Sequence, residues 1–209
     1  MPFSSPSLLS TPYTTLPIPR NLIPPRQSPS PSTTTTTSPT PHILWIGCTT
    51  TPTTDTNAVT NPRASMFIHR NLGPLLSATD LSTQSALEWS LNLLGVEHIV
   101  VCGHYGCSFL STPSTSTEEQ TTSWGVWGKD IAAFHAEHAR LRKGMGKEEE
   151  EKRFEELYVL AEAEWLGRQE MVRKAVVERG LRVWAFVWDE ERGEGVRVVR
   201  TGEKVDGEV

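Results

Sequence analysis

Two short apolar runs, each closed by a glycine, constrain this chain more than any other feature. Ile43-Leu44-Trp45-Ile46 ends in Gly47, and Ile99-Val100-Val101-Cys102 ends in Gly103. Continuous runs of this length fit strands buried on both faces, as in parallel sheets. Met66-Phe67-Ile68 is a further candidate strand. Before the Ile99 run, Leu87, Leu91 and Leu94 fall at i, i+4 and i+7, one face of a helix that Asp80 or Ser82 can cap and Gly95 can end. Strand, helix, strand with short joints predicts a right-handed parallel crossover. The expected fold class is therefore α/β: one domain over residues 42–200, with a mainly parallel central sheet and helices on both faces. Two more helices are expected, over 129–141 and 150–179. The second carries Phe154, Leu157, Tyr158, Ala161 and Trp165 along one side. The charge run from Lys143 to Glu151 reads as a solvated face. The Val183 to Trp188 run, a turn over 191–195 and Val196 to Val199 read as a hairpin on the sheet edge.

Composition sets the limits of that domain. Residues 1–41 hold eleven of the fifteen prolines and the threonine run from Thr33 to Thr37, and no acidic residue precedes Asp55. Such a Pro/Ser/Thr-rich tail is expected to lack regular structure apart from an N-terminal arm, and residues 201–209 are read as a C-terminal tail. The acid-free stretch, with Arg20 and Arg26, has the charge of a mitochondrial transit peptide, but closely spaced prolines oppose the amphipathic helix one needs. Acidic residues outnumber basic ones by 25 to 20, so there is no basic field for nucleic acid. No run approaches the roughly 18–20 apolar residues that span a bilayer. Neither nucleic acid nor membrane is expected as a partner. Three cysteines are too few for a disulfide framework and suit a reducing compartment. The expected location is cytoplasmic, with the mitochondrion as the alternative.

The chemistry gathers at the strand ends. Cys48 follows the first run, and His104 and Cys107 follow the run that ends at Cys102. Open parallel sheets bind ligands beyond the carboxyl ends of their strands. A Cys₂His set suits Zn²⁺ and leaves a fourth tetrahedral position free. Two buried thiols and a hydrogen-bonded histidine would leave the same trace. Spacing alone does not choose between Cys48 and Cys102.

Five separate segments resemble the β-class carbonic anhydrases. These are Trp45-Ile46-Gly47-Cys48, Phe67-Ile68-His69-Arg70-Asn71, His98 through Cys107 with its Gly103-His104-Tyr105-Gly106-Cys107 core, Gly180-Leu181-Arg182-Val183-Trp184, and Gln27-Ser28-Pro29. The resemblance is strong over about residues 42–110 and looser through Trp127 and beyond. It implies that Cys48, His104 and Cys107 ligate Zn²⁺ and that Cys102 is a buried strand thiol. It also implies reversible hydration of carbon dioxide to bicarbonate by zinc-bound hydroxide, with a pocket at a subunit interface in a homodimer or higher even oligomer. The late tryptophans, Trp124, Trp127, Trp165, Trp184 and Trp188, exceed what one small core needs and fit that association.

One departure bears on activity. Where the family reads Cys-Ser-Asp-Ser-Arg, this chain reads Cys48-Thr49-Thr50-Thr51-Pro52. Thr50 stands at the aspartate position and Pro52 at the arginine position. Thr50 can still orient a hydroxide through its hydroxyl, but it carries no charge, and Pro52 offers no donor. Two thiolates cancel most of the cation's charge, so such a zinc acidifies water less than a three-histidine zinc and leans more on its outer partners. Carbon dioxide hydration is therefore expected to be impaired. The alternatives are a non-catalytic zinc-binding homologue serving as scaffold or dimer partner and, less directly, a hydrolase of a related molecule such as carbonyl sulfide. Asp55 and Arg63 could replace the lost pair, or could be solvated loop charges. Ser108 and Phe109 could narrow the pocket or simply begin a helix. His69, Arg70 and Asn71 read as packing or structural residues.

Overall fold

The two glycine-closed runs are neighbouring parallel strands at the centre of a six-stranded sheet. A computed structural model describes residues 12–19, 22–24, 40–51, 65–77, 79–111, 121–139 and 145–201. The strands are β1 (Tyr13–Pro17), β2 (Ile43–Cys48), β3 (Met66–Asn71), β4 (His98–His104), β5 (Arg182–Asp189) and β6 (Glu194–Arg200). Their order is β1-β6-β5-β4-β2-β3. The four strands from β3 to β5 are parallel, and β6 and β1 extend the sheet antiparallel.

The helices are α1 (Leu81–Glu88), α2 (Ser108–Ser111), α3 (Ser123–Trp127), α4 (Lys129–His138), α5 (Lys147–Arg168) and α6 (Glu170–Arg179). The Asp80 carboxylate caps α1 by accepting the N–H groups of Ser82 and Thr83. The helix then widens into a π-helical segment, Trp89–Leu94, and stops at Gly95 with φ of +60°. None of the described helices is long and apolar enough to cross a membrane.

Strand alternation sorts the core into two clusters. Leu44, Ile46, Ile99, Val101, Ala185 and Val187 pack with Leu87 and Leu91 of the first helical stretch, Phe134 of α4, Leu157 and Val159 of α5 and Val172 of α6. The alternate residues Ile43, Trp45, Val100, Cys102, Phe186 and Trp188 pack with Ile18, Leu22 and Ile23 of the N-terminal arm. Among the described residues, the helices pack against the first of these clusters. The β3–β4 and β4–β5 crossovers step the same way along the sheet, so right-handedness puts their helices on one face. The β2–β3 connection steps the opposite way and lies mostly in residues 52–64, outside the described residues.

Two expectations are corrected. The helix expected over 150–179 is two helices, parted at Gln169, whose ψ of 135° is extended. The β5–β6 hairpin is not the sheet edge, because β1 pairs along the outside of β6. The proline-rich N-terminal stretch therefore contains a strand. Pro17 ends it, a position where an edge strand tolerates a missing donor.

Candidate metal centre

Strands β2 and β4 run side by side with Gly47 opposite Cys102, so Cys48 reaches the same carboxyl edge that His104 closes. Gly103 lets α5 lie against this strand end, since a Cβ there would come within 2.5 Å of Val159 Cγ2. The chain then turns through Tyr105 and Gly106. Gly106 has φ of +70°, a conformation that glycine adopts without a steric penalty. Cys107 follows at the mouth of α2, its carbonyl accepting the N–H groups of Leu110 and Ser111. Three residues that are remote or only loosely spaced in sequence thus bring Cys48 Sγ, His104 and Cys107 Sγ within 4.8 Å of one another.

All three side chains are buried, Cys48 and Cys107 completely. The two sulfurs are 3.8 Å apart. A tetrahedral zinc with Zn–S bonds of about 2.3 Å has an S–S edge of about 3.8 Å, so the donors present fit this ion. His104 Nδ1 lies 3.2 Å from the Tyr105 carbonyl, which can only accept. That nitrogen therefore holds the ring proton, and Nε2 turns its lone pair to the cluster. The backbone N–H groups of Thr50 and Gly73 each donate to Cys48 Sγ at 3.4 Å. Without metal, the hydrogen bond from Cys107 is the largest influence holding the Cys48 thiol well below its usual range; burial opposes it, and His104 and Thr50 assist. The same contact, with burial, pushes Cys107 up. Burial works against a charged His104, but the hydrogen bond and charge of Cys48 outweigh it and raise its pKa.

Thr50 joins the cluster. Its Oγ1 is 3.0 Å from Cys48 Sγ, 3.0 Å from His104 Nε2 and 3.7 Å from Cys107 Sγ. Neighbouring groups pin the turn that carries it. Asn71 O accepts from Thr49 N at 2.8 Å and from Thr49 Oγ1 at 3.2 Å, and Arg70 Nη1 donates to the Cys48 carbonyl at 3.4 Å. Arg70 and Asn71 therefore act on the backbone beside the cluster. His69 stays outside the cluster, facing Thr83 Oγ1 at 3.5 Å. Cys102 points to the opposite sheet face, packed with Trp45 and Phe186. Ser108 opens α2, and Phe109 packs against the helical core. Pro52, Asp55, Arg63 and Gln27-Ser28-Pro29 lie outside the described residues.

Two glutamates hold the ligand loop. Glu155 Oε1 accepts the Cys107 N–H at 2.8 Å, and burial pushes this carboxyl up to about 7. Glu156 accepts the Tyr105 hydroxyl at 2.6 Å and the Tyr13 hydroxyl at 2.7 Å, tying the loop to β1. The reading of residues 150–179 as one apolar stripe missed both. The available signal was Glu155 and Glu162 at i and i+7 beside Tyr158, two acids inside a buried face.

The molecule is thus an open α/β sheet with a buried Cys₂His cluster, able to hold a metal ion, at its carboxyl edge. A family model described as carbonic anhydrase matches residues 43–195. Among curated relatives, a carbonic anhydrase of Candida albicans is 27% identical over 155 residues, covering 73% of this chain and 54% of that protein. One of Emericella nidulans is 26% identical over 150 residues, covering 70% of this chain and 65% of that protein. The chain thus spans less than two thirds of either relative. A structure from a study of two tetrameric β-carbonic anhydrases of Sordaria macrospora superposes with a TM-score of 0.69 at 28% identity, covering 78% of this chain and 81% of that one. The β-carbonic anhydrase CafD of Aspergillus fumigatus shares the fold with a TM-score of 0.71 at 23% identity, covering 89% of this chain and 99% of that one. The chain belongs to the carbonic anhydrase family and has the fold of its β class.

Proposed function

We propose that this chain binds one Zn²⁺ through Cys48, His104 and Cys107 and carries out reversible hydration of carbon dioxide to bicarbonate slowly. The cluster of those three donors at the strand ends carries the reading. Bound zinc supplies the Lewis acidity that lets water add to carbon dioxide. The chain's own part is to hold the donors in a dry pocket, keep His104 in the tautomer that ligates, and orient the attacking oxygen through the Thr50 hydroxyl. The rate is low near neutral pH and rises with alkalinity, because two thiolates offset most of the cation's charge and no charged acceptor stands at position 50.

A second reading, a non-catalytic zinc-binding homologue acting as scaffold or dimer partner, draws on one observation. Among the described residues no carboxylate belongs to the donor cluster, and a neutral hydroxyl stands beside it instead. The chain also self-associates on this proposal, as a homodimer or higher even oligomer. Support comes from the exposed side chains of Leu72, Leu81, Trp124 and Val126 and from the tetrameric relatives in Sordaria. A cytoplasmic location accords with three free thiols.

Stopped-flow carbon dioxide hydration with chain of measured zinc content tests the catalytic reading. Thr50→Asp with Pro52→Arg should raise the rate by more than the two single changes together, as expected for groups that act as a unit. Pro52→Ala controls for the freed backbone. A wild-type rate typical of the family at pH 7 contradicts impairment, and no hydration in either wild type or the double variant favours the scaffold.

A further inference from the structure

Strands β5 and β6 pair only from Asp189↔Glu194 to Phe186↔Arg197. Continued, that register would set Ala185, Trp184 and Val183 opposite Val198, Val199 and Arg200, and none of these pairs forms. Each strand keeps its ladder on the other side, Arg182–Ala185 with β4 and Val198–Arg200 with β1. The sheet is therefore split along this line, and the split is a slot of about 690 Å³. Its sheet side is Val183, Ala185 and Val198, and its helix side Leu160, Ala163 and Gly167 of α5. It lies at the amino end of β5, where Arg182 stands opposite His98, and so away from the metal centre at the other end of β4.

Backbone and charge together say what fits there. A strand edge without a neighbour presents donors and acceptors that another strand matches. One residue of a packed sheet fills roughly 160 Å³, from about 3.3 Å of rise, about 4.8 Å between strands and about 10 Å between layers. The slot thus holds about four residues, the length of the stretch Arg182–Ala185 that lacks a partner in β6. Arg182, Arg197 and Arg200 line it against a single carboxylate, Glu164. That carboxylate is already engaged, accepting Arg200 Nε at 2.6 Å and Nη2 at 3.1 Å. Arg197 is only 8% exposed, and its Nε has no acceptor among the described residues. A buried guanidinium nitrogen without an acceptor is costly, which favours an entering carboxylate. We propose that the slot is a docking site for a partner protein, an extended acidic peptide of which enters as a strand between β5 and β6 with a carboxylate on Arg197.

The test follows the fluorescence anisotropy of a labelled hexapeptide of alternating valine and glutamate as the full chain is added. Saturable binding is expected. It should be lost when lysine replaces the glutamates, and lost when proline replaces the valines, since proline keeps the charge and removes backbone donors. Gly167→Leu should abolish binding in a folded chain, because a Cβ at 167 meets nothing within 4 Å among the described residues and a leucine there obstructs the slot. Arg197→Gln should weaken binding about tenfold or more, as loss of one member of a buried charge pair does. Absence of saturable binding, or a proline peptide that binds as tightly as the valine one, overturns the proposal. So does binding that appears only with Glu203→Gln, Asp206→Asn and Glu208→Gln together, which would give the slot to this chain's own residues 202–209. Binding that appears only on dilution to monomer would give it to a second copy and overturns the proposal equally.

Discussion

The Glu155 carboxylate, on α5, accepts the backbone N–H of Cys107 at 2.8 Å from behind the ligand loop. Outer partners that fix a metal ligand typically contribute about 10–100-fold in metal affinity. Glu155→Ala should therefore weaken zinc binding by about that factor in competition with a chromophoric chelator. Glu155→Gln keeps the accepting oxygen and should stay near wild type. Equal loss in both variants would mean that charge, and not the hydrogen bond, carries the effect.

The sheet separates the three cysteines by role. Cys48→Ser and Cys107→Ser should bring zinc per chain to near zero, because a serine hydroxyl is a far poorer ligand than a thiolate. Cys102→Ser should keep full zinc, since that thiol packs with Trp45 and Phe186 on the other face. Its stability should fall only modestly, since the Gly103 carbonyl that accepts from Cys102 Sγ at 3.4 Å offers the new hydroxyl an acceptor. Metal analysis and denaturant melts distinguish the two behaviours. Loss of zinc in Cys102→Ser would overturn the assignment.

His98 should make the fold acid-sensitive. Its Nδ1 accepts the Trp184 Nε1–H at 3.1 Å, which requires a neutral ring. Burial, then the charge of His42, lowers its pKa from 6.5 to about 4, with Arg182 adding and Glu97 opposing. The folded value lies below the unfolded one, so the unfolded chain takes up the proton first as pH falls. The contribution is complete above 6.5 and is lost on the way down to about 4. The slope from this group is at most about 1.4 kcal/mol per pH unit. The Tm of wild type should fall more steeply across that window than that of His98→Asn, which keeps an acceptor for Trp184 and does not titrate. Parallel curves would contradict this.

Gly103 and Val159 are coupled by contact. Gly103→Ala should destabilise by about 1–3 kcal/mol through overpacking. Val159→Ala in the same chain should return part of that loss, because among the described residues it is Val159 Cγ2 that a Cβ at position 103 would meet, at 2.5 Å. Strictly additive losses would mean that the strand end adjusts without α5.

The strand ends that carry Cys48, His104 and Cys107 were legible because strands buried on both faces are continuous apolar runs, but only the family resemblance chose Cys48 over Cys102. The turn between His104 and Cys107 was marked by Gly106, within the segment that carries the family resemblance. Strand β1 was not, because Pro12 and Pro17 mark a stretch as irregular unless its place on an edge is known. The break at Gln169 was hidden among good helix formers, with only backbone dihedrals to reveal it. Glu155 was not legible, because its burial depends on how closely α5 approaches β4. The meeting of Thr50 Oγ1 with His104 Nε2 depends on the β2–β4 register, which no local pattern encodes.

Zinc X-ray absorption on the loaded wild-type chain tests the central claim most directly. Two sulfurs at about 2.3 Å, one imidazole nitrogen and one oxygen at about 2.0 Å are expected. Cys102→Ser should leave that shell unchanged, and Cys48→Ser should abolish it. A shell with one sulfur or three, or one without imidazole, would contradict the centre formed by Cys48, His104 and Cys107.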